Sequence, residues 1–182
     1  KYRSVISETL LNELGVFLRG RHLENHPLFR FMSEYQPGVV LELSKVLNSI
    51  VCSGQDVIFA KDTTSTHMFI TRNGHFLLTR ESRRGTVRGS RRSFRSVDGT
   101  LQDEPIHGCT YLCELALWTT MQHTASLLAT TRGDAISLSG ADFRHSIRNS
   151  PVCILTVYRY AMAYLSGVVK EEPTDEEEVA DD

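Results

Sequence analysis

The stretch Cys113–Ser126, CELALWTTMQHTAS, decides how the rest of this 182-residue chain is interpreted. It begins with Cys113 and the carboxyl group of Glu114, continues with an apolar Leu-Ala-Leu triplet, and ends with His123 followed by Thr-Ala-Ser. The partial positive charge at the start of a helical turn favours a carboxylate there, and the free backbone N–H groups can also bind a small anion. The stretch therefore indicates either a pocket for a small anion or a helical turn with a polar end.

The segments on either side of this stretch contain short β-rich runs. Asn73-Gly74 lies between two apolar runs, and both residues tolerate positive φ, which is typical of a hairpin turn. We therefore predict a hairpin with arms at residues 67–71 and 75–79. Two further strands are predicted at residues 125–129 and 134–139.

Helices are predicted at the beginning of the chain. Apolar residues at helical spacing indicate a first helix over residues 7–23, with Ser7 as its N-cap. Pro27 ends this helix, because the residue before a proline is pushed out of the helical region. A second helix is predicted over residues 37–49.

Two more helices are predicted near the end of the chain. Ser139 and Asp142 are cap candidates for a helix that stops at Pro151. A last helix is predicted over residues 152–168, and its predicted apolar face consists of Leu155, Tyr158, Met162 and Leu165. Helices, then short strands, then helices are typical of an α+β domain with a small antiparallel sandwich or barrel.

In this order the pieces resemble the cyclic-nucleotide-binding domain family. The closest likeness is to the cytoplasmic domain of voltage-gated channels of the hyperpolarisation-activated, cyclic-nucleotide-gated and ether-à-go-go types. The phosphate cassette of that family has a Gly-Glu-apolar-Ala-apolar core, then an Arg, then Thr-Ala-Ser-Val in the channels. The corresponding residues here are Cys113-Glu114-Leu115-Ala116-Leu117 and His123-Thr124-Ala125-Ser126-Leu127.

Other segments carry the resemblance over residues 7–168. GQDVIFAKD and HMFITRNGHFLL resemble the first strands of the family, and DAISLSGADFRHSIRNSP resembles its last strand and the following helix. LLNELGVFLRGRHLENHPLFRFM is similar to the helical linker that joins a channel pore to this domain.

The resemblance implies an α+β fold, a jelly-roll-like antiparallel β-roll flanked by N-terminal linker helices and C-terminal helices. It implies a helical linker over residues 1–26 and a cyclic-nucleotide-binding-like domain over residues 27–169. An arginine-rich loop is predicted at residues 80–104 and a disordered acidic tail at residues 170–182. A place at the cytoplasmic face of a membrane and a homotetrameric parent channel are also implied.

The resemblance also implies which residues face a cyclic nucleotide: Cys113, Glu114, Leu115, Ala116, His123 and Thr124. In the family, glycine allows close backbone approach, Glu accepts hydrogen bonds from the ribose, and Arg holds the exocyclic oxygens. Here Cys113 replaces the glycine and His123 replaces the arginine. Histidine, with an ordinary pKa of about 6.5, is mostly neutral at pH 7.

Losing a charge-assisted pair to a buried anion costs on the order of 2–5 kcal/mol. We therefore expect a degenerate cassette that binds cAMP or cGMP weakly or not at all. Three functions stay open: a gating-linked module of an ion channel, a cAMP or cGMP sensor in which the ligand protonates His123, and a soluble cyclic-nucleotide-dependent kinase regulatory subunit.

Each candidate residue also has a simpler interpretation. Glu114 is favoured at a helix start by the dipole, and His123 is interpretable as a surface residue. Tyr158, Arg159 and Met162 lie, by the resemblance, on the helix that caps the base, and are equally interpretable as a core stripe.

The net charge of −2 conceals a segregation of charge. Residues 80–95 contain seven arginines and the single acid Glu81, whereas residues 170–182 are strongly acidic. Within RRGTV, Thr86 fits the pattern that basophilic kinases phosphorylate. The arginines from Arg80 to Arg95 are predicted to contact anionic lipid, at about 1 kcal/mol each, or the acidic tail. Nucleic acid is not expected, because Phe94 is the only aromatic residue among them.

Catalysis, metal binding and a cofactor are not expected. The seven histidines are scattered, and Cys109 and Cys113 lack the second pair that a zinc site needs. The four cysteines are expected to be reduced. No apolar run approaches the roughly 20 residues of a membrane-spanning helix.

Overall fold

The computed structural model describes residues 7–81 and 101–171. The helices are α1 Glu8–Glu24, α2 Pro27–Tyr35, α3 Pro37–Val46, α4 Gly140–Ile147 and α5 Pro151–Glu171. The strands are β1 Asn48–Cys52, β2 Val57–Phe59, β3 Thr64–Ser65, β4 His67–Asn73, β5 His75–Glu81, β6 Leu101–His107, β7 Tyr111–Leu112, β8 Met121–Gln122, β9 Ser126–Ala129 and β10 Gly133–Ser139. A 3₁₀ turn covers Glu114–Leu117.

The predicted helix starts are confirmed, and their causes are local. The Ser7 hydroxyl accepts a hydrogen bond from the Leu10 N–H at 3.2 Å, and the Ser139 hydroxyl accepts one from the Ala141 N–H at 3.1 Å. Three helices begin at prolines, α2 at Pro27, α3 at Pro37 and α5 at Pro151, where the missing N–H costs nothing.

The predicted second helix is too long, and a helix before it is missing from the prediction. Pro27–Tyr35 forms α2 directly after α1. α3 stops at Val46, because Leu47 adopts extended backbone with φ −68° and ψ 128°. Residues 48 and 49 then begin β1, in which Asn48 pairs with Ser137 of β10.

The strands form two four-stranded antiparallel sheets and one small ribbon. The orders are β1-β10-β4-β7 and β2-β9-β5-β6, with β3 paired to β8. The predicted strands at residues 125–129 and 134–139 are β9 and β10. The predicted antiparallel β-roll with flanking helices is thus confirmed.

The predicted hairpin around Asn73-Gly74 is wrong, although both of its arms are strands. β4 pairs with β10 and β7, whereas β5 pairs with β9 and β6, so the two arms lie in different sheets. Gly74, at φ +94°, turns the chain from one sheet into the other. A Cβ on Gly74 would lie 2.7 Å from the Gly133 Cα, so the corner also depends on close backbone contact.

The predicted loop at residues 80–104 is wrong at both of its ends, which are strands. β5 continues to Glu81 and β6 begins at Leu101, and these strands pair from His75↔His107 to Glu81↔Leu101. Residues 82–100, with Thr86 and most of the arginines, lie outside the described residues, as do residues 172–182 of the acidic tail. The phosphorylation and lipid predictions stay predictions.

Two hydrophobic clusters occupy opposite faces of β4. Met68 and Ile70 point into a cluster with the helices, and Phe69 points into a second cluster between the sheets. Both faces are covered, so β4 carries an apolar run without alternation. Leu23 of α1 belongs to the helix-facing cluster; the division of the chain at residue 26 stays a prediction.

The predicted apolar face of α5 is wrong. Leu155, Tyr158, Met162 and Leu165 are exposed. The buried side of α5 consists of Cys153, Val157 and Ala161, because small residues allow the helix to approach the domain closely. Among the described helices, none combines the length and apolarity needed to cross a bilayer.

Candidate functional site

A cavity of about 250 Å³ opens beside the 3₁₀ turn. This is slightly below the roughly 300–1,000 Å³ that is typical of small-molecule sites. Its walls come from β2, β3, β5, β7, β8, the segment between β8 and β9, the 3₁₀ turn and α5. The lining residues are Phe59, Ser65, Leu78, Arg80, Leu112, Cys113, Glu114, Leu115, Met121, His123, Thr124, Ala125 and Tyr164.

Cys113 precedes the 3₁₀ turn in the left-handed region, at φ 59° and ψ 35°. A side chain costs roughly 1–2 kcal/mol in this conformation, which explains why a glycine is expected there. Burial raises the pKa of the Cys113 thiol to about 11. The residue is therefore a strained, neutral thiol at physiological pH.

His123 is buried, with only 6% of its surface exposed, so its interpretation as a surface residue is wrong. Its ring stacks on Phe59, with centroids 4.2 Å apart and planes 13° apart. Its Nδ1 lies 3.3 Å from the Cys113 Sγ. Burial lowers the pKa of His123, so the imidazole is neutral at pH 7. The position at which the family has an arginine thus supplies no cation, and Cys113 and His123 do not form a thiolate–imidazolium pair.

Glu114 is 9% exposed, and its carboxyl group is held by the helices. The Nε2 of His26 lies 3.0 Å from Oε1 of Glu114, within ion-pair distance but without the geometry of a hydrogen bond. On the other side, Tyr160 of α5 donates a hydrogen bond to the same carboxyl group. Burial first, and then this hydrogen bond and the charge of Glu114, raise the pKa of Tyr160. Glu114 therefore connects the 3₁₀ turn to the start of α2 and to α5.

Further contacts fix the 3₁₀ turn against the helices. The Trp118 ring makes edge contacts with Tyr160 and Tyr164, at centroid distances of 6.0 and 6.1 Å. The Arg144 guanidinium donates a hydrogen bond to the Leu117 carbonyl at 3.2 Å. At Gly140, where α4 starts, an added Cβ would collide with the Ala116 carbonyl oxygen. A movement of the turn must therefore move α4 or α5.

The structure brings most of the predicted ligand-facing residues to the cavity, but not all of them. Cys113, Glu114, Leu115, His123 and Thr124 line it. Ala116 is buried and does not line the cavity, and its backbone carbonyl oxygen lies against Gly140 at the start of α4.

The residues proposed to cap a base lie elsewhere. Tyr158, Arg159 and Met162 are exposed on α5 and are not among the residues that line the cavity. The α5 residue that does line it is Tyr164. No sequence pattern singled out Tyr164, because its orientation depends on which stripe of α5 is buried.

Arg80 is a cavity residue that the sequence assigned to a different role. It was predicted to begin a lipid-contacting loop, but it lies on β5 and lines the cavity. Its Nη2 lies 3.4 Å from Oε2 of Glu104 on the paired strand β6, and both side chains are more than half exposed. Arg80 is the only Arg or Lys among the described residues that line the cavity. A cation is thus present, but on β5 and not in the cassette.

The sequence matches no family model and no curated protein. The structure is similar to the N-terminal domain of a transcriptional regulator from Streptomyces coelicolor A3(2), at 17% identity and TM-score 0.65, covering 86% of this chain and 99% of that one. It is also similar to the sensor domain of the transcriptional regulator DNR from Pseudomonas aeruginosa, at 12% identity and TM-score 0.61, covering 87% and 96%. A third similar structure is the cyclic nucleotide-binding-like protein from Brucella abortus, at 16% identity and TM-score 0.55, covering 71% and 97%.

The chain has the fold of a cyclic-nucleotide-binding-like domain. At these identities the likeness establishes the fold alone. Two of the structures named above come from transcriptional regulators, and they give the predicted channel context no support.

Proposed function

We propose that this domain is a regulatory module with a degenerate cassette that binds cAMP or cGMP weakly or not at all. The observation that carries the proposal is the position of Glu114. Its carboxyl group lies against His26 and accepts a hydrogen bond from Tyr160, so a ribose hydroxyl would have to enter a site that two groups of the protein already occupy.

The electrostatics of the cassette support the same conclusion. His123 is neutral and stacked on Phe59, and protonating it would place a charge in a buried site. A cyclic phosphate would therefore lack the charge-assisted partner that is worth on the order of 2–5 kcal/mol. This corresponds to a loss of tens to thousands of fold in affinity.

The contacts of Glu114 also suggest how such a module would work. Through Glu114 the 3₁₀ turn is connected to α2 and α5, and through Trp118 it packs on α5 again. We infer that a displacement of either helix changes the turn and the cavity together. The domain would then transmit helix movement without needing a tightly bound ligand.

We propose further that the parent protein is an ion channel of the voltage-gated or cyclic-nucleotide-gated type. The linker-like sequence before residue 30 supports this, and so does the exposed apolar face of α1, Leu14, Phe17 and Leu18, which fits packing against another subunit of a homotetramer. The domain would lie at the cytoplasmic face of the membrane. Six apolar spans and a pore loop encoded upstream of Lys1 are expected; their absence would contradict the channel proposal.

A cAMP or cGMP sensor is the second candidate, and Arg80 is the observation that favours it. Its guanidinium lines the cavity from β5, and its ion-pair partner among the described residues is the exposed Glu104. Such exposed pairs are worth at most about 1 kcal/mol, so a phosphate could displace Glu104.

Calorimetric titration with cAMP and cGMP at pH 7.5 and pH 6 separates the two candidates. For the degenerate module we expect no saturation below about 1 mM ligand, which corresponds to roughly −4 kcal/mol. Saturable micromolar binding that is lost in both Glu114→Ala and Arg80→Gln would overturn the proposal in favour of the sensor. Arg30→Gln, an exposed arginine of α2 that does not line the cavity, is the matched control.

A further inference from the structure

Two histidines meet at the edge of the roll, outside the cavity described above. His75 begins β5, His107 ends β6, and the two residues are direct partners in the antiparallel register. Both side chains are exposed. Their Nδ1 atoms are 2.9 Å apart, and the ring centroids are 4.9 Å apart with planes at 83°.

The backbone beneath the pair is held firmly. The His75 N–H donates to the Thr131 hydroxyl at 2.9 Å, and the His75 carbonyl accepts from both the N–H and the hydroxyl of Thr130, at 2.8 and 3.0 Å. His107 is fixed by the seven paired positions of β5 and β6. Only rotation of the two rings is left free.

The short distance between the nitrogens constrains the protons. A neutral imidazole has one N–H donor and one acceptor nitrogen, so at 2.9 Å one Nδ1 must be protonated and the other must not. If the protonated ring shifts its proton to Nε2 through solvent, both Nδ1 lone pairs become available, and no net proton is gained or lost.

Two such lone pairs match the requirements of a transition-metal ion. Neutral imidazole nitrogen is a preferred ligand of zinc, copper and nickel. With metal–nitrogen bonds of about 2.0–2.1 Å, two neighbouring ligands lie about 2.9 Å apart around a tetragonal ion such as Cu²⁺ and about 3.4 Å apart around a tetrahedral ion such as Zn²⁺. The observed 2.9 Å matches the tetragonal spacing, and the exposed rings have only to rotate so that both lone pairs face the ion.

We propose that His75 and His107 form a bidentate site for a divalent transition-metal ion of the copper, nickel and zinc class. Among the described residues no group of three His, Cys, Asp or Glu side chains could hold a metal, so water completes the coordination. Affinity is expected to be highest for Cu²⁺. The sequence did not indicate this site, because the two histidines are 32 positions apart and meet only through strand pairing.

The test is a titration of the tag-free protein with CuCl₂, NiCl₂ and ZnCl₂, followed by calorimetry and, for Cu²⁺, by electron paramagnetic resonance. We expect one ion per chain and a copper spectrum with nitrogen couplings from two imidazoles. His75→Asn and His107→Asn should each weaken metal binding by more than about tenfold. Removing a residue that only hydrogen-bonds to a metal ligand already costs at least about tenfold in affinity, and these variants remove a ligand itself.

The controls are His145→Asn and Cys109→Ser. His145 is an exposed histidine of α4, and Cys109 is an exposed thiol two residues after His107. Circular dichroism establishes that each variant folds. Unchanged affinity in both controls, with loss in both His75→Asn and His107→Asn, supports the site. Absence of binding to wild type, equal affinity in all variants, or loss in Cys109→Ser overturns the proposal and leaves a hydrogen-bonded histidine pair.

Discussion

The two faces of β4 differ in how completely they are filled. The helix-facing cluster contains Leu23, Phe29, Leu43 and Phe143, none of which is exposed at all. In the cluster between the sheets, Phe59 and Phe69 each remain 8% exposed, and the cavity opens beside Phe59. The same strand therefore separates a region that is packed for stability from a region with space for a ligand or a conformational change.

The largest expected effect compares one phenylalanine from each region. Phe143→Ala should lower the free energy of unfolding by about 3–5 kcal/mol, because it empties a filled site against Phe29. Phe59→Ala should lower the free energy of unfolding by less than Phe143→Ala does, with a difference of at least about 1 kcal/mol, because Phe59 already borders the open cavity. Urea unfolding of both variants measures the difference. If both variants lose the same free energy of unfolding, the cluster between the sheets is as tightly packed as the helix-facing cluster.

An intermediate effect is expected at Cys113, on the cavity side. Because its backbone is left-handed, any residue with a Cβ destabilises the folded state by roughly 1–2 kcal/mol. Glycine avoids this strain, but its flexibility in the unfolded state lowers the stability by about 0.5–1 kcal/mol. Cys113→Gly should therefore be more stable than Cys113→Ala by about 1 kcal/mol. Both variants lack the thiol, so the comparison isolates the backbone. If Cys113→Ala is instead the more stable variant by about 0.5–1 kcal/mol in the same urea experiment, the turn is not strained.

The smallest expected effect is a dependence of stability on pH that arises at His123, which also lies on the cavity side of β4. Because burial lowers the pKa of His123, the unfolded chain takes up a proton near pH 6.5 while the folded protein does not. Stability is thus fully present above pH 7 and falls as the pH decreases through 6.5. His22, with a pKa lowered mainly by burial, contributes in the same direction.

Unfolding of His123→Gln at pH 7.5 and 5.5 measures this contribution. The loss of stability on acidification should be smaller in His123→Gln than in wild type and unchanged in His145→Gln, an exposed residue of α4. If His123→Gln shows the full loss, burial does not lower the pKa of His123 in the folded protein.

The starts of α1, α3 and α4 and the positions of β4, β5, β9 and β10 could be predicted from the sequence, because their signals are local, whereas the cassette was assigned by resemblance. Ser7, Ser139 and the prolines act within a few residues of themselves. Asn73-Gly74 shows the limit of such signals: the motif indicates a turn, but the partner of each strand is decided by distant segments such as β9 and β10.

The parts of the site that the sequence missed depend on long-range packing. α5 carries two apolar stripes, and the larger side chains of Leu155 and Met162 suggested the wrong one. The buried stripe places Tyr160 against Glu114 and Tyr164 at the cavity. His26, 88 residues before Glu114, reaches it only because α1 and α2 meet at that point. No periodic pattern in the sequence predicts this contact between His26 and Glu114.

The distribution of the four cysteines makes the domain suitable for fluorescence labelling without mutation. Cys52 and Cys153 are buried, and Cys113 has a raised pKa, whereas Cys109 is exposed. A maleimide dye, which reacts with thiolates, should therefore attach selectively to Cys109. Two residues away, the Tyr111 hydroxyl donates a hydrogen bond of 2.6 Å to the His22 carbonyl of α1. The fluorescence of the dye would thus report, in a chain without substitutions, any change in how α1 packs against the β-roll.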